Sequence, residues 1–174
     1  ALALAGCGDN TPAGETEGGG SALTVYTVNY PLYYLADRLA GEQISLHFPM
    51  EEDGDPAFWQ PDARTIAAYQ QAGLIVLNGA RYAKWAQQAA LPPSKVLNLG
   101  KGLEARFLQV EDAVSHSHGP DGEHAHSGLA FTTWLDLSLY KEQARGLAAA
   151  LKEELPAAAG GIEANLDALL ADLD

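Results

Sequence analysis

The sequence is poor in cysteine and in positive charge, and both shortages limit what the protein can do. One cysteine, Cys7, among 174 residues leaves no partner for an internal disulfide bond and excludes a zinc site built from several thiolates. Ten Lys and Arg residues against 23 Asp and Glu residues give a formal net charge of −13. Nucleic acids and anionic membrane surfaces repel such a chain, so a cationic ligand suits it better.

Long apolar runs are also missing, since no stretch approaches the ~20 residues of a membrane-spanning helix. Any membrane attachment therefore requires a lipid. The opening run ALALAGC ends in Leu4-Ala5-Gly6-Cys7 and resembles the lipobox at which a bacterial signal peptide is cut and the new terminal cysteine is lipidated. The alternative is a lone cysteine in an apolar terminus. A Gly-, Thr- and Glu-rich stretch follows, so we interpret residues 1–22 as signal-peptide remnant, lipobox and flexible tether.

Strand-like and helix-like segments alternate over residues 23–100. The runs LTVYTVNY, ISLHFPM, LIVLNG and KVLNLG have the composition of strands. Between them, PLYYLADRLAG, PDARTIAAYQQAG and ARYAKWAQQAAL have apolar residues at helical spacing. Such alternation implies right-handed crossovers. The sequence therefore predicts an α/β fold with a mostly parallel four-stranded sheet flanked by helices.

The alternation stops at Lys101, and a long connection containing the His-rich loop 112–127 follows. Connections of this length in compact domains are usually functional or disordered. Beyond it, LYKEQARGLAAALKEEL predicts a helix, which Pro156 and the Gly160-Gly161 pair separate from the helical IEANLDALLADLD. We therefore predict one α/β lobe over residues 23–155 and the beginning of a further helix over 156–174.

The His-rich loop holds four of the five histidines in HSHGPDGEHAH, namely His116, His118, His124 and His126. Zinc prefers imidazole nitrogen and four ligands, so these residues suffice for a complete shell. In an extended segment residues i and i+2 point to the same side, so each His-x-His pair can present two imidazoles to one ion. Glycines and a proline between the pairs allow the chain to reverse. The pattern therefore predicts a metal site.

Other interpretations of these residues stay open. A flexible His-rich loop is a loose collector of metal, and a solvated loop has no metal role. Copper(II) and nickel also bind such a cluster, because affinity alone does not select zinc. Outside the loop, His47 lies alone in a strand and is interpreted as a hydrogen-bonded structural residue. Trp59, Trp85 and Trp134 either line a cleft or fill the core.

Several motifs together resemble one protein family. VYTVNYPLYYLADRLAG, DPAFWQPD, AGLIVLNG, TTWLDLS and the His-rich loop are similar to the N-terminal lobe of the solute-binding proteins of bacterial zinc and manganese ABC importers. The resemblance covers residues 23–174. It implies two α/β lobes joined by a long helix, with the metal in the cleft between them. Residues 156–174 then correspond to the start of that helix, and the second lobe is absent.

Two departures from the family pattern remove the ligands of the first lobe. Asp55-Pro56-Ala57 stands where the family has Asp-Pro-His, and Thr132-Thr133-Trp134 stands where it has His-x-Trp. Alanine cannot bind zinc, and a neutral hydroxyl is a poor ligand beside imidazole. The interlobe site of the family therefore transfers to no residue of this chain, and only the His-rich loop remains as a source of ligands.

The resemblance and the loop imply a cell-envelope protein that captures a divalent metal ion, first of all Zn²⁺, with Mn²⁺ or another transition metal as the alternative. It passes the ion to an ABC permease of the inner membrane, is anchored through a lipid on Cys7 in the periplasm or cell envelope, and is not an enzyme. The alternatives are a loose metal collector or chaperone and a degenerate interaction lobe that binds no metal. A zinc hydrolase with Glu123 as the base is disfavoured, because the sequence contains no catalytic motif that supports it.

Overall fold

A parallel sheet of four strands forms the centre of the fold. The computed structural model describes residues 22–50, 54–110, 115–117, 123–125 and 128–174. The sheet has the order β2-β1-β3-β4, and every neighbouring pair is parallel. Its strands are β1 (Leu23–Thr27), β2 (Ile44–His47), β3 (Leu74–Leu77) and β4 (Val96–Asn98). The predicted α/β fold with a four-stranded parallel sheet is thus confirmed, although each strand is shorter than the run that predicted it.

Four α-helices surround the sheet. They are α1 (Tyr30–Ala40), α2 (Ala63–Gln71), α3 (Leu137–Glu154) and α4 (Ala159–Asp172). Side-chain caps define where three of them begin: Asn29 accepts a hydrogen bond from the backbone of α1, Asp62 from that of α2 and Asp136 from that of α3. Because these caps satisfy backbone donors that have no partner inside the helix, each helix starts at a defined residue.

The core joins the sheet to helices α1, α3 and α4, which also pack against one another. Val25 and Ile75 from the sheet and Leu147 from α3 have no solvent-exposed surface. Helix α2 is held to β1 by Tyr69, whose buried hydroxyl donates to the carbonyl oxygen of Thr27 at 2.7 Å. The apolar spacing seen in the sequence therefore corresponds to one large core, beside which Ala80, Phe107 and Leu139 form a second, smaller cluster.

The predicted third helix, ARYAKWAQQAAL, is wrong. Over residues 80–91 the chain forms a short 3-10 turn, Lys84–Gln87, in place of an α-helix, and Ala80, Arg81 and Ala83 have positive φ angles of 49°, 60° and 50°. A left-handed backbone cannot continue into a right-handed helix. At the start of this segment two backbones approach closely, since a Cβ on Gly79 would lie 2.5 Å from the Cα of Gly100.

The break between the last two helices also differs from the prediction. A 3-10 turn, Pro156–Ala158, separates α3 from α4, whereas Gly160 and Gly161 lie inside the first turn of α4. A proline has no backbone N–H to donate and is favoured in the first turn of a helix, so Pro156 ends one helix and begins the next turn. The glycine pair therefore does not divide the helices.

Two short antiparallel pairs interrupt the connection between β4 and α3. Strand β5 (Gln109–Val110) pairs with β8 (Gly128–Leu129), and between them β6 (Ser115–Ser117) pairs with β7 (Glu123–Ala125). We call β6 and β7 the histidine hairpin. Within the described part of the chain, no helix has the length and apolar character needed to cross a membrane.

The left-handed segment after β3 makes a prediction about stability. Arg81 is exposed and has a φ angle of 60°. This left-handed conformation is unfavourable for a residue with a β-carbon, and glycine adopts it freely. Arg81→Gly is therefore expected to raise the free energy of unfolding by up to about 1 kcal/mol. Arg145→Gly in helix α3 removes the same charge from a right-handed helix and is expected to lower it by about 1 kcal/mol. Urea unfolding of the two variants measures both changes. Equal destabilisation by both would show that the segment stores no strain.

Candidate functional site

The loops that follow β1 and β3 meet at the carboxyl edge of the parallel sheet. From β1 the chain crosses to β2 on one side, whereas β3 lies on the other side of β1. Ligands of open parallel α/β sheets bind in the crevice at such a point, where the strand order reverses. Asn29 follows β1 and Asn78 follows β3, and each side chain is 1% exposed. The carboxyl edge between β1 and β3 is therefore the candidate ligand-binding site of this fold.

A buried polar network holds the segment 131–133 against the end of β3. The Asn78 Nδ2 donates to the carbonyl oxygen of Phe131 at 2.9 Å, and the Thr133 hydroxyl donates to Asn78 Oδ1 at 3.1 Å. From helix α3, Gln143 Nε2 donates to the carbonyl oxygen of Asn78 at 3.1 Å and to Thr133 Oγ1 at 3.2 Å. Because Asn78, Thr133 and Gln143 are all at most 5% exposed, these bonds fix the segment without competition from water.

The two positions at which the resemblance expects imidazole lie on segments that face each other. Their neighbours Phe58 and Phe131 meet edge to face, with ring centroids 6.1 Å apart. Ala57 is 5% exposed, and its backbone N–H donates to Asp55 Oδ1 at 2.9 Å. A methyl group at Ala57 and a neutral hydroxyl at Thr132 do not form a metal-binding pair. The residues at this edge therefore do not fit a zinc or manganese ion held as the family pattern implies.

Aromatic rings occupy the space beside these two positions. The Tyr82 ring packs edge-on against Phe131 at 5.7 Å and against Trp134 at 5.5 Å. Burial raises the pKa of the Tyr82 phenol, and the charge of Asp55 raises it further. Tyr82 is therefore a neutral phenol at physiological pH and a weak metal ligand. The sequence analysis did not predict that Phe58, Tyr82 and Phe131 lie at this edge. The available signal was that Phe58 adjoins Ala57 and Phe131 adjoins Thr132 in the sequence.

The histidine hairpin brings together part of the predicted metal site at the level of the backbone. Residue His116 is the register partner of His124, and Ser115 and Ser117 are the partners of Ala125 and Glu123. The prediction for His118 and His126 lies outside the described residues, as does that for Cys7. Among the side chains that the structure describes, no group of three His, Cys, Asp or Glu residues is placed to hold a metal ion.

The remaining histidine has structural contacts. The His47 ring stacks on Tyr26 with centroids 4.7 Å apart, and its Nε2 lies 2.9 Å from the Ser45 hydroxyl oxygen. Both partners belong to the sheet, and neither is a metal ligand of the usual kind. These contacts support the interpretation of His47 as a hydrogen-bonded structural residue.

The sequence matches a family model described as ZnuA, zinc-uptake complex component A, periplasmic, over residues 25–174. The chain belongs to this family. The high-affinity zinc uptake system protein ZnuA of Bacillus subtilis (strain 168) is 26% identical over 123 residues, which make up 71% of this chain and 36% of that protein. The resemblance drawn from the sequence motifs is thus confirmed.

Solved structures show the same fold. A crystal structure of ZnuA superposes with a TM-score of 0.70 at 22% identity and covers 88% of this chain and 55% of the other. The metal-dependent lipoprotein YcdH from Bacillus subtilis gives a TM-score of 0.69 at 21% identity, with 87% of this chain and 52% of the other covered. The chain therefore spans roughly a third to a half of the length of these ZnuA-like proteins.

The buried network predicts how this ZnuA-family lobe responds to loss of one hydroxyl. Thr133→Val keeps the side-chain shape but leaves Asn78 and Gln143 with fewer partners, so the free energy of unfolding is expected to fall by about 1–3 kcal/mol. Thr132→Val is the matched control: its side chain makes no hydrogen bond with any described residue and is half-buried, so a change within about 0.5 kcal/mol is expected. Urea unfolding compares them, and equal effects would contradict the role given to the network.

Proposed function

We propose that this chain captures a divalent metal ion, zinc in the first place, in the cell envelope and passes it to an ABC permease. The ligands of the proposal are His116, His118, His124 and His126. Ligand exchange at these imidazoles is the whole chemistry, and no catalytic step is needed. Mn²⁺ or another divalent transition metal is the alternative cargo, because a set of imidazoles alone does not select zinc.

The observation that carries the proposal is the register of the histidine hairpin. His116 and His124 are partners in an antiparallel pair. Residues directly opposite each other in such a pair have Cα atoms about 4.5–5.5 Å apart and share one face. The backbone register thus brings two of the four proposed ligand positions to directly opposite places in the hairpin. In the proposal His118 and His126, which lie outside the described residues, complete the four-ligand shell that zinc prefers.

The same register argues against hydrolytic chemistry at the hairpin. Glu123 pairs with Ser117, one position along from the His116 and His124 pair. Successive residues of a strand alternate between its two faces. A general base must lie within hydrogen-bond reach of the metal-bound water, and the register makes Ser117, not a histidine, the partner of Glu123. Capture and release of the ion fit this arrangement better than hydrolysis.

Family membership supports the cargo and the compartment. The family is described as a periplasmic component of zinc uptake, and the Bacillus subtilis relative is named a high-affinity zinc uptake protein. The net charge of −13 favours a cation over an anion as cargo. In the proposal Cys7 bears the lipid anchor and residues 1–22 form the tether. Residues 23–155 form the receptor lobe, and 156–174 begin the interlobe helix.

Zinc titration tests the proposal. Calorimetry at pH 7 on the 174-residue chain is expected to give one submicromolar site that is lost when His116, His118, His124 and His126 are all changed to alanine. The matched control is His47→Gln, which removes the fifth histidine and leaves the hairpin intact, and it is expected to bind zinc like the parent. Weak binding of several ions would make the loop a loose collector. No binding would leave an interaction lobe without metal.

The pH dependence of zinc binding follows from the ligand chemistry. Neutral imidazole binds metal, and the unperturbed pKa of histidine is about 6.5. Zinc affinity is therefore expected to reach its maximum above this pH and to fall steeply below it, because protons compete with zinc for all four imidazole nitrogens. Titrations at pH 7.5, 6.5 and 5.5 measure this. An affinity that stays unchanged down to pH 5.5 would mean that carboxylates, not the four histidines, hold the ion.

A further inference from the structure

A cavity of about 480 Å³ lies beside the edge at which the family ligands are missing. It opens to solvent and is lined by the segment that follows β2, by Ile66 of α2 and by the 3-10 turn that follows β3. Small-molecule sites in proteins typically measure about 300–1,000 Å³ and are lined by aromatic side chains with a few polar groups. The residues on which the argument rests are Ala57, Phe58, Trp59, Lys84, Trp85 and Gln88. We call this the aromatic cavity.

Two indole rings form a rigid wall of the aromatic cavity. Trp59 and Trp85 meet nearly at right angles, with centroids 6.2 Å apart and an interplanar angle of 80°. Behind them, Trp85 packs against the buried ring of Tyr69 at 4.8 Å. Since Tyr69 is fixed in turn by its hydrogen bond to β1, the Trp85 ring is held in place before any ligand arrives. Preorganised aromatic surface binds planar rings at low entropic cost.

One cation lies at the same cavity in a strongly acidic chain. The Lys84 ammonium is 5.9 Å from the centroid of the Phe58 ring, and the lysine is exposed. It forms no ion pair with a described residue. The carboxamide of Gln88 adds a donor and an acceptor to the lining. The net charge of −13 repels an anion at long range, but salt screens that repulsion and Lys84 is the charged residue of the cavity lining. At contact distance the polar groups of the cavity therefore suit an anion attached to an aromatic body.

A buried donor at the same wall lacks a partner. The indole N–H of Trp85 is buried and has no hydrogen-bond acceptor among the described residues. Each such group in a folded protein calls for an explanation, because leaving it unpaired is costly. Trp85 therefore combines a ring in the cavity lining with a polar group that no described residue satisfies.

We infer that the aromatic cavity binds a planar aromatic carboxylate. The ring lies against Trp59 and Trp85, and the carboxylate pairs with the ammonium of Lys84. Ala57 contributes to this, because a small side chain at the position where the family pattern has histidine leaves the space open. The inference goes beyond the proposed function, since it involves neither the histidine hairpin nor a metal ion.

The test uses indole-3-acetate as the probe and indole-3-ethanol as its neutral analogue. Both are titrated by calorimetry into the 174-residue chain with a metal chelator present. The acid is expected to bind about tenfold more tightly than the alcohol, because only the acid makes the charge-assisted bond to Lys84. Lys84→Gln is expected to remove this difference: the affinity for the acid falls about tenfold, whereas the affinity for the alcohol stays unchanged. Trp59→Leu is expected to weaken both probes.

The matched control is Lys101→Gln, which removes the same charge from an exposed lysine outside the cavity lining. It is expected to bind both probes like the parent, and thermal melting verifies that each variant is folded. The inference is overturned if neither probe binds at millimolar concentration, or if Lys84→Gln and Lys101→Gln behave alike. The variant that lacks the four hairpin histidines is expected to bind the acid normally, so failure of this inference is distinguishable from failure of metal capture.

Discussion

The side chain of Asn78 is the constraint on which the carboxyl edge of the sheet depends. Its amide nitrogen donates to the carbonyl oxygen of Phe131, and its amide oxygen accepts from the Thr133 hydroxyl. These two bonds connect the end of β3 to a segment more than fifty residues later in the chain. Gln143 completes the network from α3, so a strand, a loop and a helix are fixed at one point. The position of segment 131–133 at the edge is therefore set by these hydrogen bonds.

Fixing the segment 131–133 does not by itself make a metal site, because the side chains at the edge are of the wrong kind. With Ala57 and Thr132 in place of imidazoles, the neighbouring rings of Phe58, Tyr82 and Phe131 dominate the surface. Aromatic faces attract rings and organic cations but donate no lone pair to zinc. The edge therefore has the fold of the ZnuA family but presents aromatic rings where the family pattern has imidazoles.

Local sequence patterns predicted those parts of the fold that local interactions determine. The apolar run LIVL became β3, and Asp62 and Asp136 cap the helices whose spacing was visible in the sequence. The helix expected after β3 does not form, and the left-handed residues found there follow a contact of Gly79 with Gly100 that depends on a strand twenty residues away. The histidine pairs were visible as a spacing. For Trp59 and Trp85 the sequence left open a cleft or the core, and the structure places both in the lining of the aromatic cavity. The rest of that lining could not be predicted, because it comes from segments that only the completed sheet brings together.

The strand pair that flanks the histidine hairpin in the sequence is joined to the carboxyl edge. The pairing of β5 with β8 continues through a hydrogen bond from the Ala130 N–H to the carbonyl oxygen of Leu108 at 2.8 Å. The next residue is Phe131, whose carbonyl oxygen Asn78 holds. The pair β5 and β8 is therefore joined to the network at Asn78 within one residue, so the two ends of the insertion between β4 and α3 start from a fixed position beside the carboxyl edge.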